Sequence, residues 1–129
     1  MAAGRERDAG AEQLATLRKG EGLSLARLEE RPQLIALCGS ATAAEAEARL
    51  REALIALSWS RYAAALKAAL GIDRALRGEL SERRQAHADL VGRAPYTVRE
   101  WEDRGIEEVR LYLLATGSRL LPELPARPS

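Results

Sequence analysis

The apolar residues of this chain recur at the three- and four-residue spacing of amphipathic helices, and no stretch alternates as a β-strand does. The clearest stripe begins at Ala43 and continues through Leu50 and Leu54. Thr42 and Glu45 precede it as a capping box, in which each side chain can bond the other residue's amide. The pattern therefore predicts an all-α fold.

Serine, proline and glycine positions divide the rest of the pattern into further helices. Residues 11–19 form a short apolar period, and Ser24 can cap a second helix. Pro32 breaks that helix or restarts it, and an apolar turn follows that ends at Gly39. A longer period at 59–70 is rich in alanine, which permits close packing of helices, and it stops at Gly71. We expect three or four such helices to support the segment that follows.

The segment 84–104, RRQAHADLVGRAPYTVREWED, predicts two helices joined by a tight turn. Ala88 is small enough for a helix crossing, and Gly92 suits the left-handed conformation that ends the first helix. Val98 and Trp101 stand three residues apart and would pack the second helix onto the first. This is the layout of a helix-turn-helix, which can place its second helix in the major groove of DNA.

These patterns predict a single compact multi-helix domain at 11–118, with the helix-turn-helix at about 81–116. Ser81 is the expected N-cap of the first motif helix. Residues 1–10 are small and charged and are expected to form a flexible tail. The end of the chain, 119–129, contains three of the prolines and is expected to be an extended or disordered tail.

The segment from about residue 82 to 114 resembles region 4 of bacterial sigma factors and short helix-turn-helix regions of actinobacterial proteins. The resemblance implies a small DNA-binding transcriptional regulator. Its departures are His87 and Arg93, where such regulators usually carry aliphatic residues, and Ala94, where they favour a capping Ser or Thr. The matching positions are Glu82, Arg83, Arg84, Ala88, Gly92, Thr97, Val98, Arg99, Trp101, Glu102, Asp103, Ile106 and Glu107.

The second motif helix carries the candidate contacts to double-stranded DNA. Helical spacing puts five residues near the groove-facing side, where Arg99 could bond guanine and Glu100 could accept from cytosine. Arg84, Arg93 and Arg83 could hold the phosphate backbone around the motif. The groove-facing set is Tyr96, Thr97, Arg99, Glu100 and Asp103.

The charge of the chain favours a different interpretation of the same helix. The net charge is +1, from 20 basic and 19 acidic residues, which gives no overall basic bias. Arg99 with Asp103, and Arg104 with Glu100 and Glu108, could form ion pairs along a solvated face. The alternative function is therefore a protein-binding adaptor with a helix-turn-helix-like fold, within a larger transcription or defence assembly.

The end of the second motif helix is apolar on every side. Residues 109–115, VRLYLLA, place Leu111, Tyr112 and Leu114 in directions that one buried stripe cannot accommodate. Either the preceding helices wrap this segment, or it contacts a second copy of the chain or a larger partner. These three residues are the candidate protein-interaction site.

Several function classes have no support in the sequence. Cys38 is the only cysteine and His87 the only histidine, so no metal site, catalytic set or disulfide is expected, and Cys38 reads as a buried small residue. No nucleotide-binding glycine loop, membrane-length apolar run or signal peptide is recognisable. We expect a cytoplasmic protein that is not an enzyme and needs no cofactor, with Trp59 and Trp101 as core anchors.

Overall fold

The computed structural model describes residues 2–72 and 78–117, with side chains from residue 9 onward. Every regular element in these ranges is an α-helix, as the sequence predicts. The helices are α1 (Ala2–Leu17), α2 (Leu25–Glu29), α3 (Pro32–Leu37), α4 (Ala43–Ala56), α5 (Arg61–Ala69), α6 (Leu80–Val91) and α7 (Pro95–Gly117).

Side-chain caps fix the start of two helices where the sequence predicts them. The Ser24 hydroxyl accepts a hydrogen bond from the Arg27 N–H at 3.3 Å and opens α2. The Thr42 hydroxyl accepts from the Glu45 N–H at 3.2 Å, and the Glu45 carboxylate accepts in return from the Ala41 N–H at 3.0 Å. Each cap satisfies amides that the first helical turn leaves without an internal partner.

The start of α6 differs from the prediction. Glu79 is the N-cap, and the Glu82 carboxylate accepts a hydrogen bond from the Glu79 N–H at 2.8 Å. Ser81 therefore lies inside the helix, and its expected capping role is wrong. A glutamate pair can serve as a capping box, so the residue types that favour N-caps did not locate this one.

The first helix begins earlier than the sequence indicates. α1 starts at Ala2, so helix covers residues 2–10 of the segment expected to form a flexible tail. Gly10 packs against α3, where an added Cβ would lie 3.2 Å from the Gln33 carbonyl oxygen and from Leu37. The predicted tail at 119–129 and most of the connector between α5 and α6 lie outside the described residues.

The main core surrounds α7, which packs most extensively against α5 and is also contacted by α1, α3, α4 and α6. Full burial of one leucine side chain in this core stabilises the fold by roughly 1.5–3 kcal/mol. Gly105 of α7 lies directly against the backbone of α5 at Tyr62, which confirms the close packing expected of the alanine-rich helix. Fully buried side chains of this core include Leu14, Leu17, Leu28, Leu34, Leu50, Leu66, Val109 and Leu113.

Two predictions about single side chains have opposite outcomes. Cys38 is buried, as expected, and burial raises the pKa of its thiol to about 12. Trp59 is 78 % exposed, so its expected role as a core anchor is wrong. It lies in the turn between α4 and the N-cap Ser60, where none of the described helices covers it.

Candidate nucleic-acid interface

The turn between α6 and α7 has the geometry that the sequence indicates. Gly92 adopts the left-handed conformation, with φ 71° and ψ 36°. The Arg93 N–H donates to the Ala88 carbonyl at 3.0 Å, which closes the last turn of α6. Pro95 then opens α7, where its missing N–H costs no hydrogen bond.

A small second core holds the two helices together. Ala88 of α6 and Val98 of α7 are fully buried, and Ala65 of α5 completes the cluster. Trp101 packs against these residues from the side and is only partly buried. Helices α5, α6 and α7 therefore form a three-helix unit that leaves the first turns of α7 on the surface.

The two departures from the aliphatic pattern lie in different surroundings, one buried and one on the surface. His87 is buried in α6, where it occupies the position expected to be aliphatic. The Arg93 guanidinium carbon lies 5.9 Å from the centre of the Trp101 ring. A cation above an aromatic face can take the place of an aliphatic contact at the turn. The arginine thus covers the tryptophan while its charge stays in solvent.

Most of the predicted groove-facing residues are on the surface. Tyr96 is 70 % exposed, Arg99, Glu100 and Asp103 are also exposed, and Thr97 is half-buried. The Tyr96 phenol interacts with the Glu100 carboxylate one turn further along, and a hydrogen bond to it raises the pKa of Tyr96. The set forms one continuous surface with mixed charge.

The ion pairs considered for this surface do not form. Within the described ranges, neither Arg99 with Asp103 nor Arg104 with Glu100 or Glu108 lies at ion-pair distance. Asp103 instead accepts from Arg18, the residue that follows α1, at 3.5 Å. The exposed arginines of α7 are therefore not neutralised by the helix itself.

Arg84 does not have the phosphate-facing position expected of it. Its guanidinium donates to both oxygens of the Glu102 carboxylate, at 2.8 and 2.7 Å, and Glu102 is fully buried. Arg18 adds a third bond to the same carboxylate at 2.7 Å. The hydrogen bonds to Glu102 raise the pKa of Arg84. The guanidiniums of Arg84 and Arg18 are thus bound within the chain. The predicted contact of Arg84 with the phosphate backbone of DNA is therefore wrong.

Arg83 is also a structural residue, because only 2 % of it is exposed. It donates to the Ala69 carbonyl at 3.2 and 2.8 Å and to the Gly20 carbonyl at 2.9 Å. It also bonds the carbonyls of Arg18, at 2.7 Å, and Gly78. Burial lowers the pKa of Arg83, and these carbonyls satisfy its donors. One side chain thereby joins the ends of α1 and α5 to the start of α6.

Sequence reasoning missed the buried carboxylate of Glu102. The signal was present in the spacing, because Glu102 follows Val98 by four residues and so lies on the same side of α7. A charge on an apolar face requires a partner, and Arg84 and Arg18 provide two. The second partner is 84 positions away in sequence, which no local pattern indicates.

The end of α7 is covered on one side only. Val109 and Leu113 are fully buried and Tyr112 is half-buried against the main core. Leu111 is 52 % exposed and Leu114 is 37 % exposed. The preceding helices therefore wrap the inner side of 109–115, while two of the three predicted interaction residues reach the surface.

Comparisons with protein-family models, with curated proteins and with solved structures give no match for this chain. Among the described residues, no group of three or more histidine, cysteine, aspartate or glutamate side chains could hold a metal ion. In the same part of the chain, none of the helices combines the length and the apolar character that a membrane crossing requires.

Proposed function

We propose that the chain is a small DNA-binding transcriptional regulator in which α6, the turn at Gly92 and α7 act as a helix-turn-helix. The observation that carries this proposal is the exposed start of α7, which is held by a buried contact between Ala88 and Val98. A rigid support of this kind keeps a recognition helix in a fixed orientation toward a groove. The proposal implies a cytoplasmic location.

The base-reading role belongs to residues at the start of α7. Arg99 is exposed and has no carboxylate within ion-pair distance among the described residues, so its guanidinium can bond the O6 and N7 atoms of guanine. Tyr96 and Thr97 lie in the first turn, where a hydroxyl can reach a phosphate. Glu100 can accept a hydrogen bond from a cytosine amino group. The carboxylates of Glu100 and Asp103 repel the phosphate backbone, so they add nothing to the affinity for phosphate.

Selection of tight binders from a random duplex library, followed by fluorescence anisotropy, tests the proposal. The wild-type chain is expected to bind an enriched sequence more tightly than unrelated duplexes. Arg99→Ala should cost about 1–3 kcal/mol at that sequence and relax the base preference at one position. Arg51→Ala is the matched control, since Arg51 is exposed on α4 and pairs with Glu47 at 3.2 Å. Absence of salt-dependent binding at low ionic strength would contradict the proposal.

A second candidate function is association through the end of α7. Leu111 and Leu114 are exposed on the side of the helix that the core does not cover. Two copies joined there would hold two recognition helices in a fixed relation, with half-sites about one DNA turn apart or a multiple of it. The same surface would allow an adaptor to dock onto a larger partner. A wild-type chain that stays monomeric at high micromolar concentration by light scattering would contradict the pairing of two copies.

A further inference from the structure

Three arginines converge on two aromatic rings beside the start of α7. The Arg61 guanidinium carbon lies 5.3 Å from the centre of the Trp101 ring and 5.7 Å from that of Tyr62. Arg93 reaches Trp101 at 5.9 Å, and Arg104 reaches Tyr62 at 5.4 Å. The two rings themselves meet edge to face, at 6.4 Å and 74°. We call Arg61, Arg93 and Arg104 the arginine cluster.

The cluster is exposed and positively charged. All three arginines are solvent-exposed, and none lies at ion-pair distance from a carboxylate in the ranges 2–72 and 78–117. Glu100 and Glu108 stand one helical turn before and after Arg104, and Glu108 accepts from the Ser60 hydroxyl at 2.6 Å. Like charges held near the same rings repel one another, so an anion that bridges them would be attracted to this surface.

We infer that the arginine cluster binds the backbone phosphates of double-stranded DNA beside the base-reading residues of α7. This inference rests on the proposed function and replaces Arg83 and Arg84, whose guanidiniums are bound within the chain. The rings orient the guanidiniums, since a cation on an aromatic face loses side-chain freedom before a ligand arrives. Three exposed cations beside one another can neutralise several phosphates of the same strand.

The position of the cluster fits a duplex more closely than a stacked single strand. Arg93 lies in the turn before α7, and the free amides of the first turn favour anions at the same end. Trp101 is partly buried and its ring is approached by two guanidiniums, which leaves little of its face for a base. The cations rather than the rings therefore meet the nucleic acid.

The salt dependence of binding to a short labelled DNA duplex tests this inference on the full chain. Each of Arg61→Ala, Arg93→Ala and Arg104→Ala should make the negative slope of log K against log salt shallower by about one. The lysine variants at the same positions should keep a slope near that of the wild type, because a point charge suffices for a phosphate. Arg51→Ala on α4 should leave the slope unchanged. Circular dichroism verifies that each variant is folded.

The outcomes separate the two proposals. If the wild type binds the duplex and the three alanine variants behave like Arg51→Ala, the phosphate role of the cluster is overturned while the recognition role of α7 stands. If the wild type binds no duplex at low salt, the regulator itself is overturned, and the inference falls with it. Tighter binding to the corresponding single strand than to the duplex would also overturn the inference, since it would assign the rings to base stacking.

Discussion

The Glu102 carboxylate and the Arg84 guanidinium form a two-point hydrogen-bonded pair behind α7, at 2.8 and 2.7 Å, with the carboxylate fully buried. The pair ties the first turns of α6 to the inner side of α7. Arg18 approaches the same carboxylate at 2.7 Å and extends the tie to the end of α1. The orientation of α7 therefore depends on a charge network as well as on the apolar contact at Val98.

Removing the carboxylate should destabilise the fold strongly. Glu102→Ala leaves Arg84 and Arg18 without their shared partner inside the protein, and loss of one member of a buried ion pair costs about 3–5 kcal/mol. Arg84→Ala is expected to act in the same direction, because it leaves Glu102 with only Arg18. Urea unfolding followed by circular dichroism measures both. Glu52→Ala is the control, since the Glu52 side chain is exposed and its partner Arg49 also bonds the Cys38 carbonyl and Thr116, so the change should cost at most about 1 kcal/mol. Equal midpoints for Glu102→Ala and Glu52→Ala would contradict this account.

The local features of the fold could be predicted from sequence. Helix class, the caps at Ser24 and Thr42, the restart at Pro32 and the turn at Gly92 all depend on residues within four positions of one another. Such features follow from the backbone preferences of serine, threonine, proline and glycine. Local physics therefore determined most of the element boundaries.

The candidate site could be predicted only in part. The exposure of Tyr96 and Arg99 follows from helical spacing. Whether Arg84 faces solvent or binds within the chain depends on Glu102, which lies on the inner side of α7. The arginine cluster needs α5 to lie beside α7, which brings Arg61 to Trp101 across 40 positions of sequence. Such contacts arise from the packing of helices that are distant in sequence, and the local patterns of a single sequence do not show them.

Gly105 of α7 lies in close contact with α5, so its replacement by alanine should destabilise the fold although alanine is the better helix former. Alanine in a helix interior is about 1 kcal/mol more favourable than glycine. A Cβ at Gly105, however, would overlap the Tyr62 carbonyl group and lie 3.1 Å from the Leu66 Cβ. Gly105→Ala is thus expected to destabilise the chain by about 1–3 kcal/mol in thermal or urea unfolding. A more stable Gly105→Ala variant would show that the two helices do not meet at this position.

Substitutions at Gly92 should lower stability through backbone conformation and not through crowding by neighbouring atoms. Its φ of 71° disfavours branched side chains, yet a Cβ there would meet nothing within 4 Å. Gly92→Val should therefore cost roughly 1–3 kcal/mol through backbone strain. Gly92→Asn should cost less, because asparagine tolerates the left-handed region. A higher melting temperature for Gly92→Val than for Gly92→Asn would contradict the assigned turn.

The buried thiol of Cys38 should make stability depend on pH in the alkaline range. Burial raises its pKa from 9.0 to about 12 in the folded chain. Between these values the unfolded chain loses the proton and the folded chain keeps it, so stability falls as pH rises above about 9. The loss contributed by one such group is at most about 1.4 kcal/mol per pH unit. Cys38→Ala lacks this contribution, so the stability difference between wild type and variant should change over this range. A constant difference from pH 8 to 11 would indicate an exposed thiol, as would rapid reaction with a thiol reagent.

The end of α7 offers a direct comparison between a surface leucine and a core leucine two positions apart. Leu111 is 52 % exposed, so Leu111→Glu should fold with the helicity of the wild type. Leu113 is fully buried, and Leu113→Glu places a charge in the core without a partner, which should prevent folding. Circular dichroism and light scattering on the two variants separate packing within the chain from association between chains.

If the wild type is a dimer through this surface, Leu111→Glu should be a folded monomer. An unfolded Leu111→Glu chain would instead show that this side chain is covered by the chain's own helices. A Leu111→Glu dimer would show that a different face of the molecule joins the two copies.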